Sequence, residues 1–292
     1  MAYWGLLGAP LESSGERRGE ERGVGALRSA GLVERLGAED AGDIEARLQS
    51  PVRDSETGII SYEQLRLASA EILASVSALL DRDARPLVVG GDCSLLPGAL
   101  AAAHRSLGRT GLAFVDGHLD FFDGRTSPTG EAADMELAIV TGHGPPGLVD
   151  LAGPPIVDPS NVAVLGYRIE APGDAPREAD LVDDGISRME AREVSQAGPA
   201  RLGGQVADRL AEDSGRFWVH FDVDVFDASE MPAVSYPQPD GLDWSEVSAL
   251  LRPLVESPAL VGLSVADFDP DLDPDGAYAR RLVELLAGLL AP

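Results

Sequence analysis

Carboxylate and imidazole side chains alternate along two short segments of the sequence. Asp116, His118 and Asp120 occupy every second position of one segment, and Asp222 and Asp224 repeat this spacing in another. In extended chain, alternate side chains point to the same side. Such groups repel one another unless a cation lies between them, and an oxygen-rich set with one imidazole suits Mn²⁺ or a related divalent ion. We therefore predict a metal site, with helix caps and turn residues as the alternative.

Both segments follow predicted strands, and two further strand ends carry polar groups. Gly90-Gly91-Asp92-Cys93-Ser94 follows one apolar run, and Ala266-Asp267-Phe268-Asp269 follows another. In parallel α/β folds, ligands bind at the carboxyl ends of the strands. These four segments are therefore expected to meet at one site.

Short apolar runs alternate with longer helical patterns along the whole chain. The predicted strands are Tyr3–Leu7, Pro86–Val89, Gly111–Val115, Val162–Gly166, Phe217–Val223 and Leu260–Val265. The predicted helices include Gly25–Leu36, Tyr62–Asp81, Leu95–Leu107, Gly203–Glu212, Trp244–Leu254 and Ala277–Ala287. Continuous apolar strands are typical of a sheet buried on both faces. We predict one doubly wound α/β domain over residues 1–292, with a mostly parallel central sheet flanked by helices.

The composition excludes several classes of function. The 23 basic and 49 acidic residues give a net charge of −26, which disfavours nucleic-acid binding and favours cationic small molecules and divalent metals, or serves solubility alone. A single cysteine, Cys93, excludes an internal disulfide and fits a reducing cytoplasm. No signal peptide or membrane-spanning run is expected.

The order of these motifs resembles the arginase/agmatinase/formimidoylglutamase family of ureohydrolases. The matching patterns are Gly-Gly-Asp-x-Ser, Asp-x-His-x-Asp and Phe-Asp-Val-Asp. Arg18-Gly19 through Leu32, Met231-Pro232-Ala233 and Asp240-Gly241-Leu242 are also similar to family segments. The resemblance spans nearly the whole chain and implies an arginase-like fold and a trimeric or hexameric assembly.

The resemblance also implies a two-manganese centre that makes a shared water nucleophilic toward a linear guanidinium or amidine carbon. Asp116, Asp120, Asp222 and Asp224 match its carboxylate ligands, and His118 matches a histidine ligand. Asp120 is the expected acid/base group. Asp267 falls where the family has a glutamate that holds the guanidinium. Candidate substrates are arginine, N-hydroxyarginine, agmatine, guanidino acids and formimidoylglutamate, with urea or a urea-like product.

Cys93 stands where most family members have a histidine ligand of the other metal. A thiolate is softer than imidazole and carries charge. Three interpretations stay open: the ion binds through sulfur, it binds weakly or not at all, or Cys93 is only a small core residue.

Three further departures fall in the expected substrate pocket. Ala133 occupies the position of the family's proton-shuttle histidine, and Glu131 replaces an asparagine. Glu131 either contacts a cationic group, as a further catalytic candidate, or caps the following helix. Ala171 and Phe122 stand where arginases bind the substrate's α-amino and α-carboxylate groups.

Two of the remaining histidines have alternative interpretations. His143 either replaces the missing shuttle or is an exposed loop residue. His220 either contacts a metal ligand or is a core histidine satisfied by the backbone.

Two other functions compete with the amidinohydrolase. A zinc deacetylase of the related histone-deacetylase type needs a tandem His-His pair, which this sequence lacks. A catalytically degenerate scaffold or binding protein of the same family is favoured by Cys93 and Ala133. It is opposed by the intact carboxylates, because an unused buried acidic cluster is costly.

Overall fold

The computed structural model describes residues 3–169 and 178–291. Eight strands form one sheet: β1 (Trp4–Ala9), β2 (Glu39–Asp43), β3 (Arg85–Gly90), β4 (Gly111–Val115), β5 (Val162–Tyr167), β6 (Ser187–Glu190), β7 (Phe217–Asp222) and β8 (Leu260–Ala266). Their order across the sheet is β2-β1-β3-β8-β7-β4-β5-β6, and every pairing among them is parallel. The predicted fold class is confirmed, and the sheet is fully rather than mostly parallel in the described residues.

Helices cover both faces of this sheet. They are α1 (Gly23–Ser29), α2 (Leu32–Leu36), α3 (Tyr62–Leu80), α4 (Leu96–Leu107), α5 (Glu136–Val140), α6 (Pro146–Val149), α7 (Ala191–Ala197), α8 (Pro199–Ser214), α9 (Trp244–Glu256) and α10 (Ala277–Leu290). One apolar cluster packs one face of the sheet against α1, α2, α7, α8, α9 and α10. The other packs the opposite face against α3, α4, α5 and α6. None of the helices in the described ranges is long and apolar enough to cross a membrane.

Side chains of each central strand alternate between the two clusters. In β3, Leu87 and Val89 belong to the first cluster and Val88 to the second. In β7, Val219 and Phe221 belong to the first, and Trp218 to the second. Alternation with apolar residues on both faces is expected for a parallel strand buried between helical layers.

Several predicted boundaries were wrong. The helix predicted over Gly25–Leu36 is two helices, because Gly31 adopts a left-handed backbone with φ 92° between them. The edge strands β2 and β6 were missed, since their polar or exposed residues lack an apolar run. The strand predicted to reach Val223 ends at Asp222, where the chain turns into a 3₁₀ segment.

Candidate metal centre

The four motif-bearing segments follow four adjacent strands in the middle of the sheet. The order β3-β8-β7-β4 places Cys93, Asp267, Asp222 and Asp116 side by side at its carboxyl edge. Above them lies a cavity of about 200 Å³. Its acidic floor includes Asp120, Asp222, Asp224 and Asp267, together with His118.

Turns, rather than extended chain, bring the alternating side chains together. Asp116 Oδ1 accepts a hydrogen bond from the His118 amide at 2.6 Å, and Asp222 Oδ1 accepts one from the Asp224 amide at 2.6 Å. Each aspartate thus closes a side-chain turn with the residue two positions on. Asp120 follows with a positive φ of 46°. Asp116 and His118 come together as predicted, but the extended geometry used to predict it was wrong, and Asp120 belongs to none of the possible ligand groups among the described residues.

Asp116, His118 and Asp224 form one compact group, with ligand atoms within 4.8 Å of one another. His118 Nδ1 lies 2.8 Å from Asp224 Oδ2, and the Gln238 amide approaches His118 Nε2 at 2.6 Å. Burial opposes the imidazolium, but the Asp224 carboxylate raises the pKa of His118 to about 9.

The Asp116 carboxylate is buried, and one of its oxygens has no hydrogen-bond partner among the described residues. Its side chain is 0% exposed, and Oδ2 accepts no hydrogen bond from the described residues. Burial, then the Asp224 carboxylate, raises the pKa of Asp116 to about 8. An orphaned buried carboxylate oxygen is the feature that a bound cation would satisfy.

Cys93, Asp222 and Asp267 form a second group within the same 4.8 Å limit. The Cys93 thiol donates to Asp222 Oδ2 at 2.8 Å. Asp267 Oδ1 has no hydrogen-bond partner among the described residues, and the Asp267 backbone adopts φ 69° while its amide donates to the Gly91 carbonyl at 2.7 Å. Burial and the neighbouring carboxylates raise the pKa of both Asp222 and Asp267.

His220 reaches the same thiol from strand β7. Its Nε2 lies 3.0 Å from Cys93 Sγ and its Nδ1 lies 2.7 Å from Ser264 Oγ. Burial lowers the pKa of His220 to about 3, so the ring is neutral. Of its two interpretations, a core histidine satisfied by the backbone is wrong, because both ring nitrogens contact side chains.

Glu136 is a site residue that sequence reasoning missed. It begins α5, is 0% exposed and belongs to a third possible ligand group with Cys93, Asp116 and His220. The Asp120 carboxyl is its hydrogen-bonding neighbour, and burial, then Glu136, raises the pKa of Asp120. A charged residue beside the apolar run Leu137–Val140 was the signal available in the sequence.

Asp92 belongs to the scaffold of the site. Its carboxylate accepts hydrogen bonds from the amide of Ser13 and from the amide and hydroxyl of Ser94. These contacts tie the loop after β1 to the segment after β3. Because its oxygens already have donors, Asp92 is less available to a cation than the unpartnered carboxylates.

The side chain of Arg18 is a positively charged group at the rim of the cavity, among acidic side chains. Arg18 forms ion pairs with Glu131 and Glu12, and Tyr236 lies beside it. Glu131 precedes the 3₁₀ segment Ala132–Asp134 without a side-chain capping bond, and the cationic group that it contacts is Arg18, so its catalytic role stays a prediction.

Two of the positions at which this sequence departs from the family pattern lie on the cavity wall. Phe122 and Ala133 both line the cavity, whereas Ala171 lies outside the described residues. His143 is an exposed loop residue paired with Asp183 at 2.9 Å. The described residues thus place no imidazole at the position of Ala133.

The donor chemistry fits divalent cations. Burial, then neighbouring acidic groups, raises the pKa values of Asp116, Asp222 and Asp267, and a divalent ion would offset this concentrated negative charge. The Asp116, His118 and Asp224 group has the oxygen-rich character that Mn²⁺ accepts. The group at Cys93 adds sulfur.

Comparisons with known proteins agree along the whole chain. The sequence profile of the Arginase family matches residues 2–291. An arginase from Bacillus caldovelox is 28% identical over 291 residues, covering 97% of this chain and 96% of the relative. The solved Bacillus caldovelox arginase has a TM-score of 0.90 at 28% identity, covering 100% of this chain and 99% of that one. A solved proclavaminate amidino hydrolase from Streptomyces clavuligerus has a TM-score of 0.70 at 25% identity, covering 99% and 91%.

Proposed function

The chain belongs to the arginase family, and from that membership we propose that it hydrolyses a C–N bond of a cationic linear guanidino or amidino substrate in the cavity above β3, β8, β7 and β4. It is a metal-dependent amidinohydrolase of the arginase type. The observation that carries the substrate proposal is the acidic floor of this cavity, where the buried oxygen Oδ1 of Asp267 has no hydrogen-bond partner among the described residues.

Two divalent ions are proposed at the floor. Asp116, His118 and Asp224 would hold one, for which we propose Mn²⁺, with Asp120 and Asp222 beside it on the cavity floor, and Cys93 would bind its neighbour. Bound there, a divalent ion supplies Lewis acidity and makes water nucleophilic near neutral pH. The remaining chemistry falls to side chains of this protein.

Asp267 is proposed to hold the substrate's cationic end. Its carboxylate is buried, lines the cavity and has a free acceptor oxygen, Oδ1. A guanidinium or amidinium presents N–H donors in a plane, so it can satisfy this oxygen and offset the acidic floor. Because aspartate is one methylene shorter than glutamate, the substrate would sit deeper than it would against a glutamate at this position.

Asp120 is proposed to move the proton. Its carboxyl lines the cavity beside Asp116. Asp120 would take the proton that water releases as it adds to the central carbon, and would pass that proton to the leaving nitrogen as the C–N bond breaks. Ala133 offers no second proton carrier, so Asp120 bears this step without an imidazole relay at that position.

The wall of the cavity favours substrates other than plain arginine. Phe122 presents an apolar ring at the expected α-carboxylate position, and Glu131 is already paired with Arg18. We therefore propose that the substrate is a guanidino, N-hydroxyguanidino or formimino compound distinguished by the group at its far end. Glu131, with Arg18, would read that group. The trimeric or hexameric assembly and the cytoplasmic location stay predictions.

A substrate panel tests the proposal. The full chain would be loaded with Mn²⁺ and assayed with arginine, N-hydroxyarginine, agmatine, guanidino acids and formimidoylglutamate for release of urea, hydroxyurea or formamide. We expect turnover of at least one compound and its loss on chelation. Metal-loaded protein that hydrolyses none of them would contradict the proposal and favour the scaffold.

A further inference from the structure

Glu136 is buried without the partners that an ionised carboxylate needs. Its side chain is 0% exposed, and neither Oε1 nor Oε2 accepts a hydrogen bond from an N–H or O–H donor in the described ranges. Its hydrogen-bonding neighbour is another acid, the carboxyl of Asp120, which can donate a hydrogen bond only when it is itself protonated. Burying a carboxylate in this way is costly unless a cation or a proton compensates it.

The groups around Glu136 supply three kinds of ligand atom. Cys93 Sγ, His220 Nε2 and carboxylate oxygens of Asp116 and Glu136 all lie within 4.8 Å of one another, and all four residues are buried. Tetrahedral ligands at bond lengths of about 2.0–2.3 Å stand about 3.5 Å apart. Small side-chain rotations would therefore close the set around one ion.

The imidazole in this set is held in one orientation. Phe114 stacks on the His220 ring at 5.1 Å between centroids, and Ser264 Oγ lies 2.7 Å from Nδ1. Ser264 Oγ also accepts a hydrogen bond from Trp218 Nε1 at 3.0 Å. With Nδ1–H donating to Ser264, the Nε2 lone pair points toward Cys93 Sγ, as outer hydrogen bonds orient a metal-ligating histidine.

The set lies below the cavity. His118, Asp120, Asp222 and Asp224 line the cavity, but Cys93, Asp116, Glu136 and His220 do not. A closed, four-coordinate site with sulfur, nitrogen and oxygen ligands has the character of a zinc site that holds structure. An open, oxygen-rich site instead has the character of a catalytic site for a hard metal such as Mn²⁺.

We propose that Cys93, His220, Glu136 and Asp116 form a closed site for a zinc-class ion beneath the cavity floor. This inference rests on the proposed function and deepens it, because it assigns the Cys93 side of the centre a different ion from the His118 side. Asp116 would link the two sites, with one oxygen toward each. The centre is then a mixed pair, with Mn²⁺ beside the substrate and Zn²⁺ below.

Metal content under competition tests the assignment. The full chain would be stripped with a chelator, dialysed against equal Zn²⁺ and Mn²⁺, and measured by mass spectrometry of the elements. We expect one zinc per chain in the wild type. Glu136→Gln and His220→Gln should weaken zinc binding by at least ten- to a hundredfold and leave Mn²⁺ binding in place. Glu212→Gln is the matched control, because Glu212 is an exposed residue of α8 and does not line the cavity.

Two further measurements distinguish a loss of zinc binding from misfolding of the variants. Co²⁺ in place of zinc should give a thiolate charge-transfer band that disappears in Cys93→Ser. In metal-free protein, Glu136→Gln should raise the thermal midpoint, because the substitution removes an unpartnered buried acid. Zinc should raise the thermal midpoint of the wild type but not that of Glu136→Gln. Equal zinc affinity in wild type and Glu136→Gln, or cobalt without a thiolate band, would overturn the inference.

The outcomes separate this inference from the proposed function. Amidine hydrolysis with manganese alone and no zinc binding contradicts the zinc site and leaves the hydrolase standing. Zinc bound through Cys93 without hydrolysis of any substrate in the panel supports the site and contradicts the function.

Discussion

Asp116 is the residue on which the two halves of the centre meet. Its carboxylate belongs both to the group with His118 and Asp224 and to the group with Cys93, His220 and Glu136. Burial without a partner at Oδ2 makes the ionised form of Asp116 unfavourable in the metal-free protein. Metal binding and proton loss at this residue are therefore linked.

Asp222→Ala should remove metal binding and activity together. The carboxylate of Asp222 lies on the cavity floor and accepts a hydrogen bond from the Cys93 thiol at 2.8 Å, so its loss removes a carboxylate from the floor and the partner of a proposed metal ligand. Metal affinity should fall by more than the roughly 100-fold that outer contacts of a metal site already contribute. Elemental analysis and a turnover assay check this, with the exposed Asp213→Ala as control. Unchanged manganese content in Asp222→Ala would show that the site is misassigned.

Cys93→His should move the preference of its side of the centre from zinc toward manganese. Imidazole is harder than thiolate, and the neutral ring removes one negative charge from a crowded acidic region. The ratio of manganese to zinc bound at equal concentrations should rise about tenfold or more, as metal-competition dialysis can measure. If metal content and thermal stability both equal those of the wild type, the thiol lies outside the ligand shell.

At the scale of elements, strand order decides which side chains meet. Strands β3 and β4 follow one another along the chain, but β8 and β7 lie between them in the sheet. The segments after these four strands therefore converge from residues far apart in sequence. Their tight turns depend on close backbone approaches, of which the one at Gly91 is the most severe.

Gly91→Ala should disturb the site through the backbone. A Cβ at this position would lie 1.7 Å from the Leu11 carbonyl oxygen, and the Gly91 carbonyl accepts the Asp267 amide. The loop after β1 must shift, which should cost about 1–3 kcal/mol of stability and weaken metal binding. Chemical denaturation with metal titration measures both effects. Gly288→Ala on α10, with nothing within 4 Å of the added Cβ, is the control and should be neutral or stabilising. Equal stability of both variants would contradict the argument.

The sequence predicted the apolar elements and the acidic strand ends because both leave local patterns. It did not predict the edge strand Glu39–Asp43, which is exposed and polar and forms only because β1 offers a free edge. Nor did it predict Glu136 or the contact between His220 and Cys93. These depend on strand order and on packing of α5 against the sheet, which no local pattern encodes.

At the scale of the whole molecule, most of the 49 acidic residues lie outside the buried interior, but a minority are buried at or near the cavity, where their charge has a chemical consequence. Burial above all raises the pKa of Glu20 to about 8 and the pKa of Glu178 to about 7, and the pKa of Asp116 is raised similarly, to about 8. The metal-free fold therefore carries protons that the unfolded chain has released, which gives it an unusual dependence on pH.

Metal-free protein should lose stability as pH rises from about 4 to about 8. The folded pKa of Asp116, about 8, exceeds its ordinary value of 3.8, so the native state binds more protons than the unfolded chain across this window. Stability then falls with rising pH. Carboxylates whose pKa is lowered, such as Asp54, act in the opposite direction but below about pH 4, as the pH falls through their folded pKa.

Denaturation at several pH values, with and without Mn²⁺, measures how steeply the free energy of unfolding changes with pH. Metal should flatten the slope by taking the place of the protons on its ligands, and Asp116→Asn should remove that residue's share. A metal-free protein whose stability rises across this window, equally in wild type and Asp116→Asn, would show that these buried acids are already compensated by the fold.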